Sequence, residues 1–128
     1  MSQIYTMWNI KRLIASSILL IALDAIYLYN NTQMLKEQII KVQRVIMEFR
    51  VEGALLCYMA LIFGINYFII QPKKSPLDAF ILGLVIYAVY ETTNYATLKK
   101  WSPTLVVMDT IWGGVLFALT TYLTYEIA

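Results

Sequence analysis

Three carboxylates stand where carboxylates are costly. Asp24, Glu91 and Asp109 each lie inside a stretch that is otherwise mostly apolar, and an ionisable residue at the centre of a membrane-spanning helix costs about 2.5 to 3.5 kcal/mol on the insertion scale. The spacing around them is helical. Tyr87, Glu91 and Asn94 follow at four and three residues, which sets Glu91 and Asn94 on one face with a phenol one turn away, and Asp109, Trp112 and Gly113 share another face. Tyr27 comes one turn after Asp24, and Tyr58 lies near the start of a further apolar run. Asp24, Glu91, Asn94 and Asp109 are therefore the candidate polar pocket, supported by Tyr27, Tyr58, Tyr87 and Trp112.

Carboxylates this close in a low dielectric cannot all stay ionised, so protons, cations or water must compensate. Such a set could titrate a proton, hold a hard cation or small polar solute through oxygen ligands, or offer one carboxylate as a general base. The competing reading is that the acids are interhelical hydrogen-bonding glue, paired with Arg50, Lys99, Lys100 or the Trp112 indole, and serve assembly alone. With no His and one Cys, zinc constellations, imidazole-ligated haem and imidazole base catalysis are excluded. No metal centre and no cofactor is expected. Asp78 is set apart, because Ser75, Pro76 and Asp78 read as a helix start with a serine cap, and Glu126 reads as solvated.

The elements that must carry these residues follow from composition. The chain has 128 residues, 60% hydrophobic and 14% charged, with a net charge of +2; soluble domains average about 25% charged. This is an integral, multi-pass membrane protein with the lipid bilayer as its partner. The charge is too small for a nucleic-acid footprint, so no nucleic-acid partner is expected. Four apolar runs suit a hydrocarbon core of about 30 Å, at about 13–29, 53–70, 77–98 and 105–125. Nothing alternates with period two, so the spans are helices. The first run follows a basic pair but lacks a small-residue cleavage site and holds Asp24, so it reads as a span and not a signal peptide. Between the first two spans, Leu35, Ile39, Val42, Ile46 and Phe49 recur at helical spacing with Lys36, Glu37, Lys41, Arg44 and Glu48 on other faces. That stripe suits a helix lying in the membrane interface or, equally, one capping the bundle. The expected fold is one all-α domain over residues 1–128, four transmembrane helices in a bundle plus this amphipathic helix.

An even number of spans puts both termini on one side. That side carries Lys11, Arg12, Lys73 and Lys74, and the other carries Lys36, Lys41, Arg44, Arg50, Lys99 and Lys100. Positive-inside counting points one way and the basic pair before the first span points the other. The three acids all fall in the half of the membrane nearer the second group. Asn30, Asn31 and Thr32 form a sequon too close to a span to be well placed for modification. On the second span Gly53, Cys57, Ala60 and Gly64 make a small-residue face suited to close helix approach, with Gly113 and Gly114 playing that part on the fourth. Cys57 reads as a packing residue, and Tyr5, Trp8, Tyr29 and Trp101 as interfacial anchors.

Three stretches together carry a family likeness: Leu23-Asp24-Ala25-Ile26-Tyr27, then Tyr90-Glu91-Thr92-Thr93-Asn94-Tyr95-Ala96-Thr97-Leu98 followed by Trp101, and Asp109-Thr110-Ile111-Trp112-Gly113. With Leu55-Leu56-Cys57-Tyr58 and Pro72, they resemble the small membrane proteins grouped as domain of unknown function 2177, over nearly the whole chain. Glu91 stands where that family usually has Asp, and Tyr27 where it usually has Trp. The resemblance implies that Asp24, Glu91, Asn94 and Asp109 matter, without implying a reaction.

Three functions remain open at this point. The first is a transporter-like or channel-like protein moving protons, cations or a small polar solute, which in so small a bundle would call for a homo-oligomer. The second is a membrane lipid-modifying enzyme or its accessory subunit, fed by the amphipathic helix. The third is a structural or assembly subunit whose partner contact is the small-residue face of the second span. A bacterial inner membrane and a viral or host membrane all suit the composition.

Overall fold

The computed structural model describes residues 8–31 and 50–128, together with Met34 and Glu37. The amphipathic stripe of Leu35 to Phe49 lies outside the described residues. Four helices account for most of these residues: α1 (Ile10–Asn30), α2 (Val51–Ile65), α3 (Pro76–Thr97) and α4 (Pro103–Ile127); each is long and apolar enough to cross a membrane, α2 together with the π turn that extends it to Ile70. Local chemistry sets their ends. Asn9 caps α1 by accepting a hydrogen bond from the Arg12 amide at 3.1 Å, and Asn31 closes it by donating its side-chain amide to the Tyr27 carbonyl at 2.8 Å. Ser75 and Ser102 cap α3 and α4, each followed by a proline whose missing N–H costs nothing at that position. The Ser75, Pro76, Asp78 start therefore stands as the sequence predicts, with the Asp78 amide donating to Ser75 Oγ at 3.2 Å.

α2 does not end as an α-helix. It continues as a π-helical turn over Asn66–Ile70, with the Gln71 amide donating to the Asn66 carbonyl at 2.9 Å. Beyond Pro72 the chain reverses through Lys73, which has a φ of 64°, while the Lys74 amide returns to the Ile69 carbonyl at 2.7 Å.

The helices alternate in direction, and side-chain contacts fix their register. Asp24 meets Tyr58 and Ser16 meets Asn66 between α1 and α2. Asp24 meets Trp112, Tyr27 meets Asp109, and Arg12 meets Tyr125 between α1 and α4. The closest approach is between α3 and α4. A methyl group added at Gly83 would collide with the Gly113 carbonyl and come within 2.9 Å of Phe117 Cβ; one at Gly113 would strike the Tyr87 ring, and one at Gly114 would reach Phe80 at 2.7 Å. These glycines let the two backbones close to a distance that no larger residue permits.

The core is Leu20, Leu61, Ile65, Ile69, Ile70, Ala79, Leu116 and Phe117. Outward, Ile14, Ile18, Leu55, Met59, Val85 and Val107 are exposed, which is the surface of a bundle solvated by hydrocarbon. The small-residue face of α2 needs a correction. Gly53, Cys57 and Ala60 are exposed and Gly64 has nothing within 4 Å of an added methyl. Among the described residues that face meets no other helix, because α2 turns Tyr58, Leu61 and Ile65 inward instead.

Candidate functional site

Asp24, Glu91 and Asp109 each stand six residues inside the same end of the bundle, from Asn30, Thr97 and Pro103 respectively. At 1.5 Å per residue that is a shared depth of roughly 9 Å. Helix geometry brings the three acids to one level, and aromatic donors tie them there.

Asp24 is 7% exposed and has both oxygens engaged. Oδ2 accepts the Tyr58 hydroxyl at 2.6 Å and Oδ1 accepts the Trp112 indole N–H at 3.0 Å. One carboxyl thus fastens α1 to α2 and α4. Its neighbour Tyr27 donates to Asp109 Oδ1 at 2.5 Å and stacks on Trp112, ring centroids 4.6 Å apart and planes 3° from parallel. The Tyr27 and Trp112 rings lie between the two acids and hold both donors in fixed directions. An aromatic pair of this geometry adds about 0.5 to 1.5 kcal/mol beyond its buried area.

Glu91 differs from Asp24. It is wholly buried. Oε1 accepts the Trp101 indole N–H at 2.8 Å, Oε2 is buried with no hydrogen-bond partner, and the Asp109 carboxyl lies near enough to act on it electrostatically. Two carboxylates held near each other in a low dielectric repel unless one of them carries a proton. No ion pair joins the acids to Arg50 or Lys99 among the described residues; both cations are exposed. Indole and phenol donors fill the place that the sequence offered to those cations.

The remaining predicted residues separate. Asn94 is one turn beyond Glu91 and partly buried, and it makes no side-chain hydrogen bond to the three acids among the described residues. Tyr87 packs its ring on Gly113 and serves the α3–α4 contact. The three acids share a level without converging on one point: Asp24 belongs to an α1–α2–α4 junction, and Glu91 with Asp109 forms a pair between α3 and α4. Trp101, read from the sequence as an interfacial anchor, is the partner of Glu91.

A second polar cluster, absent from the sequence reading, lies in the other half of the bundle. Asn66 donates to Ser16 Oγ at 3.0 Å and to the Ile62 carbonyl at 2.9 Å, and its Oδ1 accepts from Gln71 Nε2 at 3.0 Å. Gln71 Oε1 accepts the Asn9 amide at 2.7 Å. Asn66 and Ser16 are wholly buried. In an α-helix residues five apart stand about 140° apart; the π turn stacks Asn66 and Gln71 so that both face α1. The signal was a lone Asn inside an apolar run, but no spacing rule announces a π turn.

Among known proteins the likeness is one of family. No curated protein and no solved structure matches the chain. The profile of a family described as predicted membrane protein (DUF2177) matches residues 9–126, which takes in all four helices and every residue of the site, and the chain belongs to that family.

Proposed function

We propose that the Glu91–Asp109 pair is a proton-binding centre buried in a four-helix membrane bundle, and that the protein uses it to bind or move protons across its membrane. The observation that carries this reading is Glu91: wholly buried, one oxygen held by Trp101, the other without a donor beside a second carboxyl. A single proton satisfies that arrangement, and its gain or loss switches the pair between one charge and a mutual repulsion. Among the described residues no three acid or thiol side chains gather closely enough to hold a metal ion, which favours the proton over a hard cation.

Asp24 supports a different role within the same bundle. With both oxygens accepting, it is the assembly residue, and Tyr58 and Trp112 are its hydrogen-bonding partners. The open α2 face at Gly53, Cys57, Ala60 and Gly64 is where a second copy would pack, since small residues without neighbours are what close helix association in lipid requires. In this reading the chain is one folding unit, and the outer ends of α1 and α4 share a membrane side.

The test is proton flux in proteoliposomes under an imposed pH gradient. The wild type is expected to dissipate the gradient and Glu91→Gln to lose that activity, whereas Asp24→Asn should lower the amount of folded protein more than the flux per folded protein. Equal flux from wild type and Glu91→Gln would sink the proposal.

A further inference from the structure

We propose that Tyr27 on α1 decides which carboxyl of the Glu91–Asp109 pair carries the proton: while its hydroxyl sits on Asp109 the proton stays on Glu91, and withdrawal of α1 passes it to Asp109. This rests on the reading of the pair as a proton-binding centre. Repulsion between nearby carboxylates holds one proton in the pair; the surroundings decide its place, and they are unequal. Glu91 is wholly buried, and of its two oxygens only Oε1 has a partner, the Trp101 indole at 2.8 Å. A charge on Glu91 would leave Oε2 buried without a donor, which costs more than the neutral acid does. Asp109 is only partly buried, and its Oδ1 accepts the Tyr27 hydroxyl at 2.5 Å. A hydrogen bond to an ionised acceptor is roughly twice as strong as one between neutral groups. The Tyr27 contact therefore favours the charge on Asp109 and the proton on Glu91.

An independent observation fixes the direction of the phenol. The Tyr27 ring lies flat on that of Trp112, centroids 4.6 Å apart and planes 3° from parallel. Trp112 is held in turn by its indole N–H, which donates to Asp24 Oδ1 at 3.0 Å, and Asp24 Oδ2 accepts the Tyr58 hydroxyl at 2.6 Å. Asp24 and Tyr58 are thus committed to each other and to Trp112, and Tyr87 packs its ring on Gly113. Among the described residues Tyr27 is the side chain that reaches Asp109 from outside the pair with a hydrogen bond.

The donor belongs to α1, whereas the pair belongs to α3 and α4, so the position of α1 and the position of the proton are linked. When the hydroxyl leaves, the O–H bond on Glu91 breaks as one forms on Asp109, and the negative charge moves the opposite way. The proton passes from a wholly buried carboxyl to a partly exposed one, from which it can be released.

The experiment is infrared spectroscopy of the full chain in phosphatidylcholine liposomes at neutral pH, where exposed carboxyls are ionised, with carbon-13 placed in the side-chain carboxyls of either the aspartates or the glutamates. The protonated-carboxyl band of the wild type is expected to move with the glutamate label and to ignore the aspartate label. Tyr27→Phe removes the hydroxyl and keeps the ring on Trp112; it should shift the distribution of the proton toward Asp109 by about tenfold, the loss of one charge-assisted hydrogen bond, so that part of the band follows the aspartate label. Trp112→Phe, which takes a donor from Asp24 and keeps a ring against Tyr27, should leave the band on glutamate. A wild-type band that follows the aspartate label would overturn the placement on Glu91, and that spectrum depends on no variant. A Tyr27→Phe band identical to wild type, or a Trp112→Phe band redistributed as in Tyr27→Phe, would overturn the role of Tyr27. Absence of any protonated-carboxyl band in the wild type would instead remove the proton-binding centre itself, and this inference with it.

Discussion

Alanine at Gly83 and alanine at Gly64 make the same chemical change in two helices and should have opposite effects. At Gly83 the new methyl meets the Gly113 carbonyl and comes within 2.9 Å of Phe117 Cβ. The obstruction is backbone, which cannot rotate aside, so α3 and α4 must separate. Overpacking of this kind costs about 1 to 3 kcal/mol and backbone contact places it at the upper end; the higher helix propensity of Ala returns about 1 kcal/mol. The net expectation is a loss of about 2 kcal/mol. At Gly64 nothing of the same chain lies within 4 Å, so in a micelle that holds one copy only the propensity gain of up to about 1 kcal/mol remains. The two variants should differ by about 3 kcal/mol, on the order of a hundredfold in the unfolding equilibrium. Titration from a folded detergent micelle into a denaturing one, followed by far-ultraviolet circular dichroism, reads the difference directly. Glu91 lies two turns along α3 from Gly83, so Gly83→Ala should also disturb the Trp101–Glu91 hydrogen bond and alter the tryptophan emission. If the variants unfold together, or Gly64→Ala is the weaker, the glycine contact does not hold α3 to α4.

At Asp24, a double-mutant cycle of Asp24→Asn with Tyr58→Phe should return a coupling of about 0.5 to 2 kcal/mol, the range of interhelical hydrogen bonds in lipid; additivity would mean that the 2.6 Å contact contributes nothing. Infrared spectra of the protein in lipid should contain a protonated-carboxyl band that shifts on deuteration and disappears in both Glu91→Gln and Asp109→Asn; a band that survives either change would remove the shared proton. Trp101→Phe should leave the Glu91 carboxyl without its indole donor and displace that same band, and an unchanged band would show that the 2.8 Å contact does not reach the pair. Asn66→Leu should destabilise the bundle by about 1 to 3 kcal/mol, because Gln71 and Ser16 lose a buried partner; a neutral result in the same micelle titration would strip the second polar cluster of its structural role.

The sequence disclosed the spans and their caps because those are local. An apolar run has a length, and Ser75-Pro76 punctuates it, so the expected spans fall within three residues of the observed helix ends once the π turn is counted with α2. It also disclosed the common depth of the three acids, since depth is only a residue count from a helix end. Rotation about the helix axis was harder to read. Gly53, Cys57, Ala60 and Gly64 line up as well as any packing face, yet Gly83, which the pattern did not single out, makes the tightest contact. Small residues say where an approach is sterically possible and not which neighbour takes it. Partner choice was hidden for the same reason: Arg50 and Lys99 read as cations that could compensate the acids, whereas Trp101, two residues beyond Lys99, donates to Glu91.

The π turn in α2 has a consequence for how this helix tolerates insertion and deletion. A chain shorter by one residue between Tyr67 and Ile70 would form an uninterrupted α-helix with better internal hydrogen bonds. It would leave Gln71 four residues after Asn66, about 40° round an α-helix, so both side chains would still face α1. The π turn therefore absorbs one extra residue without changing the angular phase between the two halves of α2. Removal of one of these five residues should accordingly be tolerated, whereas removal of one from the regular turns before Asn66 would wheel everything beyond it by about 100°.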